Sequence, residues 1–449
     1  MGIVTGEFSA SPGLDLITAD EGNTLTILEN FGTGVFRKAS QIGLEDRYIA
    51  TAVAASDING DGIADAAVSA DDVQSHPNFD GAIVRFSSQA VYSYNQIASA
   101  VDPFPTCISL ADLDGDQIED LAACATASAG GGFDGVVSYL RGNGDGTFAE
   151  NQPINLGDVI PFQLLVADVD DDTDPDIIVT DDNAVWAFFG TGPGVTFAPP
   201  MMLGMVNEPQ GIVAARFDDD ELLDVAVAAR GAARIVVFRQ DNPRDFAAGV
   251  AHQAGLFPVA LASGRFDEDD NEDIAVANYG SSDVTVLLGN GDATFQTQET
   301  VAVGTGPIAI TTGDFNADGK TDFATADQDD ETFGRDIQRV TVVLNGVSPP
   351  FTPTITPTVT NTLPPSRTPT PTFSRTATSR TPSATPTRGT PLPTPTPAGP
   401  GDTNCDGRLN QDDVDTVIRR IFDGTSGCLT GAVTAADVTR VVGLISNPD

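Results

Sequence analysis

The 449-residue chain contains few of the side chains on which enzyme chemistry most often depends. Its two histidines, His76 and His252, stand in no recognisable motif, so the sequence offers little support for Ser-His-Asp or histidine–metal catalysis. We expect both histidines to be loop residues. Dense carboxylate clusters do occur, but each belongs to a repeated acidic loop, which removes the usual signal of glycosidase acids.

Positive charge is also scarce. The chain has 22 Lys and Arg against 64 Asp and Glu, and its formal net charge is −42. A field of this sign argues against nucleic acid and anionic membranes as partners. No apolar run is long enough to span a bilayer, so we expect no membrane insertion. The 40% of apolar residues is nevertheless sufficient for a globular core.

What the chain does have is an aspartate-rich nonapeptide that recurs at a near-constant interval. Copies start 48 to 56 residues apart. A fixed period of this size is typical of stacked or radial repeats, so we predict seven repeats. The six clear copies begin at Asp57, Asp112, Asp168, Arg216, Arg265 and Asp314, and a degenerate copy begins at Glu7.

In the complete copies, acidic or amide side chains occupy positions 1, 3, 5 and 9, and the residue at position 7 can offer its backbone carbonyl. Ca²⁺ accepts roughly six to eight oxygen ligands with tolerant geometry, whereas Mg²⁺ requires a stricter octahedron. We therefore predict bound Ca²⁺, with solvated acidic turns as the alternative. The candidate ligands are Asp57, Asn59, Asp61, Ile63 and Asp65; Asp112, Asp114, Asp116, Ile118 and Asp120; Asp168, Asp170, Asp172, Asp174 and Asp176; and Asp314, Asn316, Asp318, Lys320 and Asp322.

Two further copies begin with an arginine. Arg216 and Arg265 would either repel a cation or substitute for it by pairing with the aspartate at position 9. The degenerate copy at Glu7 has serines at positions 3 and 5, and we predict that it binds no ion. The remaining candidate ligands of the two arginine copies are Asp218, Asp220 and Asp224, and Asp267, Asp269, Asn271 and Asp273.

Short runs of alternating apolar residues surround each loop, as is typical of half-buried strands. Four strand-length segments fit one repeat, most clearly at 258–266, 273–279, 283–289 and 295–304. A glycine turn followed by an aromatic residue, as in GNGDGTF, also recurs. Four strands repeated seven times suit a radial β-propeller, because each blade covers the apolar face of its neighbour. We expect the last blade to take its fourth strand from Phe351 onward.

The motif, its period and the glycine turn together resemble the FG-GAP/VCBS family of calcium-loop propellers, which is akin to the integrin α-subunit head and to certain lectins. The resemblance covers roughly residues 1–351. It implies an all-β fold for this first domain, namely a seven-bladed β-propeller with calcium-binding loops.

Beyond this domain the composition changes. Residues 352–400 are rich in Thr, Pro and Ser, which favours a semi-rigid polyproline II linker. Residues 401–449 hold one more acidic loop followed by two amphipathic helical segments. The candidate calcium ligands of this loop are Asp402, Asn404, Asp406, Arg408 (through its carbonyl), Asn410 and Asp413.

This tail resembles a type I dockerin, a small α-helical EF-hand domain that in its family binds cohesin domains. The match is partial, because the second loop keeps an acid only at Asp437 and therefore predicts one calcium site instead of two. Gln411 and Asp412 stand where many members carry the Ser/Thr pair that contacts cohesin. A cohesin-type scaffold is one candidate partner, and a structural cap or another docking partner is the alternative.

Four cysteines form two candidate pairs. Cys107 and Cys124 flank one acidic loop on adjacent predicted strands, where a disulfide and two buried free thiols agree equally well with the sequence. Cys405 and Cys428 lie at nearly equivalent places in the two loops of the tail. The even count and the calcium loops favour an extracellular or cell-surface location. No signal peptide is visible at Met1, so we expect a truncated or misassigned start.

Three functions agree with these features. The first is a calcium-stabilised binding or adhesion protein that recognises carbohydrate or an extracellular protein through the propeller. The second is a carbohydrate-active enzyme, a polysaccharide lyase or glycoside hydrolase, docked on a cohesin scaffold. The third is a structural surface protein. Fold alone does not decide between them, and we favour the first, non-enzymatic function.

Overall fold

The computed structural model describes residues 2–346 with short gaps, together with residues 354–356. The predicted linker beyond residue 356, the dockerin-like tail and both of its cysteines lie outside the described residues. The gaps before residue 346 are 10, 21–23, 45–47, 73–80, 91–92, 102–104, 130–131, 193, 297–298 and 329–336.

The described chain forms seven antiparallel four-stranded sheets, as the repeat predicts. The first four sheets each consist of four consecutive strands. Sheet 1 comprises β1 (Gly2–Gly6), β2 (Asp15–Asp20), β3 (Thr24–Asn30) and β4 (Phe36–Gly43). Sheet 2 comprises β5 (Tyr48–Ser56), β6 (Asp65–Asp72), β7 (Gly81–Ala90) and β8 (Ser93–Val101). Sheet 3 comprises β9 (Cys107–Ala111), β10 (Asp120–Ala129), β11 (Gly132–Leu140) and β12 (Gln152–Gly157). Sheet 4 comprises β13 (Gln163–Ala167), β14 (Asp176–Thr180), β15 (Ala184–Phe188) and β16 (Met201–Met205).

The last three sheets follow the same order, except that sheet 5 carries an inserted hairpin. Sheet 5 comprises β17 (Pro209–Ala215), β18 (Asp224–Ala229), β19 (Arg234–Phe238) and β22 (Val250–Gln253), and its hairpin is β20 (Gln240–Asn242) and β21 (Asp245–Phe246). Sheet 6 comprises β23 (Pro258–Gly264), β24 (Asp273–Asn278), β25 (Asp283–Leu287) and β26 (Glu299–Ala302). Sheet 7 comprises β27 (Pro307–Gly313), β28 (Asp322–Gln328), β29 (Ile337–Leu344) and β30 (Thr354–Thr356), so its fourth strand lies in the segment expected from Phe351 onward.

The seven sheets form a closed ring. The first strand of each sheet contacts the first strand of the next, in the order β1, β5, β9, β13, β17, β23 and β27, and β27 contacts β1 again. The predicted seven-bladed β-propeller is therefore confirmed for the described residues. Their one helical segment is a 3-10 turn, Arg230–Ala232. No helix among the described residues is long and apolar enough to cross a membrane.

Every sheet is built from its own stretch of chain, so no sheet combines strands from the two ends of the propeller. The ring therefore closes by side-chain and backbone contacts between sheets 1 and 7. Phe315 lies at the centre of this junction. Its ring packs edge-on against Phe36, with 5.4 Å between centroids. Its backbone carbonyl accepts hydrogen bonds from Asn30 Nδ2 at 2.7 Å and from the Gly34 N–H at 2.8 Å. Buried Ile3, Leu16 and Val342 complete the contact.

The second strand of a sheet is more deeply buried than the alternating pattern predicts. Every residue of β18 and of β24 is buried. Each of these strands lies inside a sheet that neighbouring sheets cover on both faces, so both of its faces need small or apolar side chains. This burial places the start of each second strand, where the acidic loop ends, in the protein interior.

The cysteine question left open by the sequence is settled for sheet 3. Cys107 and Cys124 pair across β9 and β10 and form a disulfide. Both cysteines are buried. The disulfide therefore joins the two strands that hold the Asp112 loop between them.

Candidate metal-binding loops

Each acidic nonapeptide connects the first strand of a sheet to the second. Its position 9 is the first residue of the second strand in all seven sheets, from Asp15 in β2 to Asp322 in β28. Because all sheets share one strand order and their first strands line the ring, the loops emerge on one face of the propeller. We call the copies that start at Asp57, Asp112, Asp168 and Asp314 the Asp-first loops, and those that start at Arg216 and Arg265 the Arg-first loops.

The carboxylate at position 1 organises the backbone of the Asp-first loops. In the Asp57 loop, Oδ1 accepts the N–H groups of Gly60 and Asp61 at 2.8 and 3.1 Å, and Oδ2 accepts the N–H of Gly62 at 2.7 Å. The carboxylate of Asp314 likewise accepts two N–H groups, from positions 5 and 6 of its loop. In both carboxylates Oδ2 accepts a single N–H and keeps a lone pair for a cation, so these bonds position the group without excluding an ion.

Positions 4 and 6 of the Asp-first loops adopt left-handed backbone conformations. Gly60 and Gly62, with φ of 74° and 84°, do so at little cost. Thr173, a β-branched residue, adopts φ 75° at position 6 of the Asp168 loop. A β-branched residue in this region is strained, so the loop's hydrogen bonds must hold it there.

The aspartate at position 9 has a structural role that the ligand pattern did not predict. Asp322 is fully buried, and its carboxylate accepts the N–H of Phe315 at 2.9 Å and that of Asn345 at 2.6 Å. The same pair of bonds recurs at Asp176, from Val169 and Gly190. Six position-9 carboxylates thus tie their loops to the end of the third strand, namely Asp15, Asp120, Asp176, Asp224, Asp273 and Asp322.

Burial changes the acidity of these position-9 carboxylates. It raises the pKa of Asp176 to about 7, and the nearby Asp170 and Asp172 add to the rise. It raises the pKa of Asp322 to about 6, with a further contribution from Asp318 and Asp314. A cation in the loop would offset this concentration of negative charge.

Two Asp-first loops bring three carboxylates together. One oxygen each from Asp112, Asp114 and Asp116 lie within 4.8 Å of one another, and so do oxygens of Asp168, Asp170 and Asp176. Asp170 is 3% exposed, and its Oδ1 has no hydrogen-bond partner. A buried carboxylate oxygen without a partner is costly unless a cation or a water satisfies it, so these residues fit a hard cation.

The other two Asp-first loops use asparagine at position 3. The Asn59 and Asn316 side-chain oxygens each accept the N–H of position 5 at 2.9 Å. At position 7, the N–H groups of Ile63, Ile118 and Lys320 donate to the carboxylate at position 5. Asp174 occupies the same place in the Asp168 loop and donates to Asp172 Oδ1 at 3.0 Å.

Two arginines that the sequence pattern did not identify enter the Asp-first loops. Arg141 contacts Asp114 Oδ2 and Asp116 Oδ2, each at 2.5 Å. Arg244 contacts Asp170, and it also contacts Asp172 Oδ2 at 2.7 Å. Arg141 directly follows a third strand, which is a signal that sequence reasoning could have used, whereas Arg244 comes from the inserted hairpin of the next sheet.

The Arg-first loops differ from the prediction. Arg216 donates from Nε to the carbonyl of Glu221 at 3.0 Å, and Arg265 contacts Glu272 and Asp270 at 3.3 and 3.6 Å. Neither arginine pairs with its position-9 aspartate, so the alternative of substitution by pairing is wrong, and repulsion of a cation stays a prediction. The carboxylates of Asp224 and Asp273 instead accept two backbone N–H groups each. One comes from the residue at position 2 of the loop, and the other comes from a residue just after the third strand.

The remaining ligands of the Arg-first loops keep part of the Asp-first geometry. The carboxylates at positions 3 and 5, which are Asp218, Asp220, Asp267 and Asp269, accept the N–H two residues further on. The last of these N–H groups belongs to Asn271. No set of three carboxylate oxygens within 4.8 Å occurs in either loop, among the residues that the structure describes.

A family model for FG-GAP-like repeats matches this chain at residues 13–68, 112–179, 168–227 and 265–325. These matches together cover just over half of the chain, and each spans an acidic loop and the strands on both sides of it. The chain belongs to the FG-GAP-like repeat family.

Three solved structures are similar to this FG-GAP chain, each at low identity. BBS1N in complex with ARL6DN, soaked with lead, has 14% identity and a TM-score of 0.48, over 76% of this chain and 88% of that one. A functionally unknown protein from Desulfotomaculum acetoxidans DSM 771 has 13% identity and a TM-score of 0.47, over 73% and 90%. The periplasmic gluconolactonase PpgL of Pseudomonas aeruginosa has 13% identity and a TM-score of 0.47, over 80% and 94%. No curated protein matches the chain.

The FG-GAP propeller also carries a groove of about 660 Å³ between sheets 3 and 4. Aromatic, proline and amide side chains line it together. They include Tyr139, Gln152, Asn155, Phe188, Phe197 and Pro199. This combination of ring faces with amide donors and acceptors suits a ligand that has both apolar faces and hydroxyl or amide groups.

The histidine prediction is wrong for His252, which lies in strand β22 instead of a loop. Its ring packs edge-on against Phe295 at 5.0 Å, and its Nε2 has no hydrogen-bond partner. Burial lowers its pKa. His76 lies outside the described residues, as do the predicted tail ligands Asp402, Asn404, Asp406, Arg408, Asn410 and Asp413.

Proposed function

We propose that this FG-GAP propeller is a secreted or cell-surface binding module, stabilised by Ca²⁺, that recognises carbohydrate or an extracellular protein. The observation that carries the proposal is the set of four Asp-first loops on one face. Backbone hydrogen bonds hold their carboxylates in place, and Asp170 keeps a buried oxygen without a partner.

We propose that the role of Ca²⁺ is to stabilise the folded propeller. In each Asp-first loop, the side chains at positions 1, 3, 5 and 9 would hold the ion, and the backbone carbonyl of position 7 would complete the set. Bound Ca²⁺ supplies positive charge that offsets repulsion between these carboxylates. Because an ion that binds only the folded loops stabilises the fold by mass action, calcium would contribute directly to the free energy of unfolding.

The recognition part of the proposal concerns the groove between sheets 3 and 4. Phe197 offers partly exposed ring surface, and the exposed Asn155 and Gln152 offer hydrogen-bonding groups beside it. Aromatic faces with adjacent amides suit the apolar face and the hydroxyls of a sugar. An extended peptide has similar chemistry and is the second ligand class to test.

The enzyme alternative receives no support from a specific group. His252, in the described part of the chain, packs against an aromatic ring, and the dense carboxylate clusters serve the loops. We therefore propose no catalytic role.

We also propose that the dockerin-like tail at 401–449 attaches the propeller to a cohesin-type or other scaffold.

The test is a glycan-array assay of the full chain in Ca²⁺ and in EDTA, with the bound glycans recovered and checked for cleavage. We expect retention of intact glycan in Ca²⁺, weakened by Phe197→Ala and Gln152→Ala. Leu256→Ala, an exposed apolar side chain that does not line the groove, is the control and should bind as the parent does.

Other outcomes separate the alternatives. Cleaved glycan would favour the carbohydrate-active enzyme. If no glycan is retained in either buffer, a peptide array should show binding that depends on Phe197. Absence of both kinds of binding would leave the structural surface protein and contradict the recognition proposal.

A further inference from the structure

The two arginines in the Asp-first loops contact the carboxylates that would bind calcium. Positions 3 and 5 of the Asp112 loop face Arg141, and the same positions of the Asp168 loop face Arg244. A guanidinium on these oxygens satisfies the charge that a cation would otherwise satisfy.

Arg141 belongs to the same sheet as its loop. It directly follows Leu140, the last residue of β11, and precedes Gly142, whose N–H donates to Asp120 Oδ1 at 2.8 Å. The position-9 aspartate therefore fixes the backbone beside Arg141. From there, Nε and Nη2 contact Asp114 and Asp116, each at 2.5 Å. The guanidinium thus bridges two ligand positions of the predicted ion.

Arg244 reaches the Asp168 loop from the next sheet. It lies in the turn of the β20–β21 hairpin with φ 63°, and its N–H donates to Gln240 Oε1 at 3.2 Å. Buried Gln240 in turn donates to the carbonyl of Val169, at position 2 of the Asp168 loop. The hairpin is therefore anchored to the loop that its arginine enters.

Further contacts hold the Arg244 guanidinium in place. It contacts Asp170 and Asp172, donates to the Gly190 carbonyl at 3.3 Å and lies over the Phe189 ring at 4.9 Å. Ring stacking and a fixed fork of donors are features that suit arginine and not lysine. The hairpin inserted in sheet 5 thus delivers a positive charge to sheet 4.

The Asp314 loop provides the internal comparison. In the described part of the chain, hydrogen bonds to Asp314 and Asp318 come from backbone N–H groups and from Asn316, and no ion pair reaches either carboxylate. Gly142 and Asn345 are equivalent, because each donates its N–H to the position-9 aspartate of its loop. The residue before Gly142 is Arg141, whereas the residue before Asn345 is Leu344. The chain therefore contains Asp-first loops whose carboxylates contact a guanidinium, at Asp112 and Asp168, and one whose carboxylates do not, at Asp314.

We propose that Arg141 and Arg244 are intramolecular counterions that compete with Ca²⁺ for the Asp112 and Asp168 loops. The Asp314 loop binds Ca²⁺ directly, whereas the two arginine-filled loops bind it only after the guanidinium is displaced. This inference rests on the proposed calcium function. It assigns to these arginines the role of offsetting part of the negative charge of their loops and keeping them folded when calcium is scarce.

The test uses the full chain and the variants Arg141→Gln and Arg244→Gln, with calcium binding measured by isothermal titration and melting measured in EDTA and in Ca²⁺. We expect each variant to gain about tenfold in affinity at one site, since one charge-assisted competitor has been removed. We also expect each variant to melt lower than the parent in EDTA and to recover fully in Ca²⁺.

Two controls separate competition from a purely structural role. Arg230→Gln removes the same charge from a pair with Glu208 outside the loops and should change neither the affinity nor the calcium response. Arg244→Lys keeps the charge without the fork geometry and should give an intermediate gain. A variant that melts lower in both buffers, with unchanged affinity, would overturn the inference.

The results also distinguish this inference from the proposed function. If the parent binds Ca²⁺ and the glutamine variants bind it with the same affinities, the competition is wrong and the calcium function stands. If neither the parent nor any variant binds Ca²⁺, the calcium function is wrong and the inference is overturned with it.

Discussion

The Asp-first and Arg-first loops occupy equivalent places in neighbouring sheets, yet their backbones differ. In the Asp-first loops, positions 4 and 6 all have positive φ, including the non-glycine residues Gln117, Asp171, Thr173 and Ala317. None of the residues at these positions in the Arg-first loops has positive φ. Arginine has no acceptor to offer the N–H groups of positions 5 and 6, so the tight turn loses its organiser. The change from aspartate to arginine at position 1 thus goes together with the change in loop conformation.

The two loop types share everything else that anchors them. Position 2 is apolar and buried in both, as Phe217 and Phe315 show, and the position-9 carboxylate accepts the N–H of position 2 in both. The ends of the loop are therefore set by the sheet, and the middle is set by the position-1 side chain. The comparison teaches that the turn organised by position 1 and the anchor formed by positions 2 and 9 are separable within nine residues.

Removal of calcium should have the largest effect. We expect EDTA to lower the melting temperature by roughly 10 °C or more, because several loops would each lose a few kcal/mol of ligand stabilisation. Differential scanning calorimetry in Ca²⁺ and in EDTA measures this shift. Mg²⁺ at the same concentration should restore little of it, given its stricter geometry. An unchanged melt in EDTA would contradict occupied structural sites.

Arg265→Asp should convert one loop type into the other. The new carboxylate could accept the N–H groups of Asp269 and Asp270, and it would add the missing first ligand beside Asp267 and Asp273. We expect one additional calcium site by isothermal titration and a melting temperature that rises in Ca²⁺ but not in EDTA. Arg265→Asn, which lacks the charge, should bind more weakly. An unchanged number of sites would show that position 1 does not decide the loop type.

Asp327 provides a buried carboxylate outside the loops. Hydroxyls of Thr325 and Thr341 donate to it at 2.8 and 2.5 Å, and burial raises its pKa from 3.8 to about 6. Because the folded pKa is the higher one, the folded state keeps a proton between about pH 4 and 6 that the unfolded state has lost. Stability from this group therefore falls as pH rises through that window.

Asp327→Asn should flatten this part of the pH profile and raise the free energy of unfolding by about 1–2 kcal/mol above pH 6, after the loss of charge-assisted hydrogen bonds. Urea unfolding between pH 4 and 8 in Ca²⁺ measures the difference. Asp182→Asn, in an exposed turn, should give the parent profile. A variant profile parallel to that of the parent would show that Asp327 does not titrate in this window.

The smallest expected effect concerns backbone strain in the Asp-first loops. Thr173→Gly should stabilise the protein by about 1 kcal/mol, because glycine adopts φ 75° without a side-chain clash. Thr173→Ala should gain less, since alanine keeps the Cβ atom. Thermal melts in Ca²⁺ compare the two variants with the parent. Equal melts for glycine and alanine would show that the loop stores no such strain.

Much of the propeller could be predicted from local patterns. Seven repeats, four strands per repeat and the place of each acidic loop follow from residue types at short, regular spacing, as in the strands predicted at 258–266 and 273–279. The full burial of β18 and β24 could not be predicted in this way, because it depends on which sheets become neighbours. The alternative that Arg216 and Arg265 pair with their position-9 aspartates is wrong for a related reason, since backbone N–H groups already satisfy these carboxylates.

By itself, the sequence determined the repeat, the strand pattern and the places of the acidic loops, because each depends on residues within about fifty positions of one another. Tertiary structure decided the closure of the ring at Phe315, the disulfide between Cys107 and Cys124, and the entry of Arg244 into the Asp168 loop. Arg244 and Asp170 are 74 residues apart and belong to different sheets. Their contact depends on the packing of one sheet against the next, which no local spacing encodes.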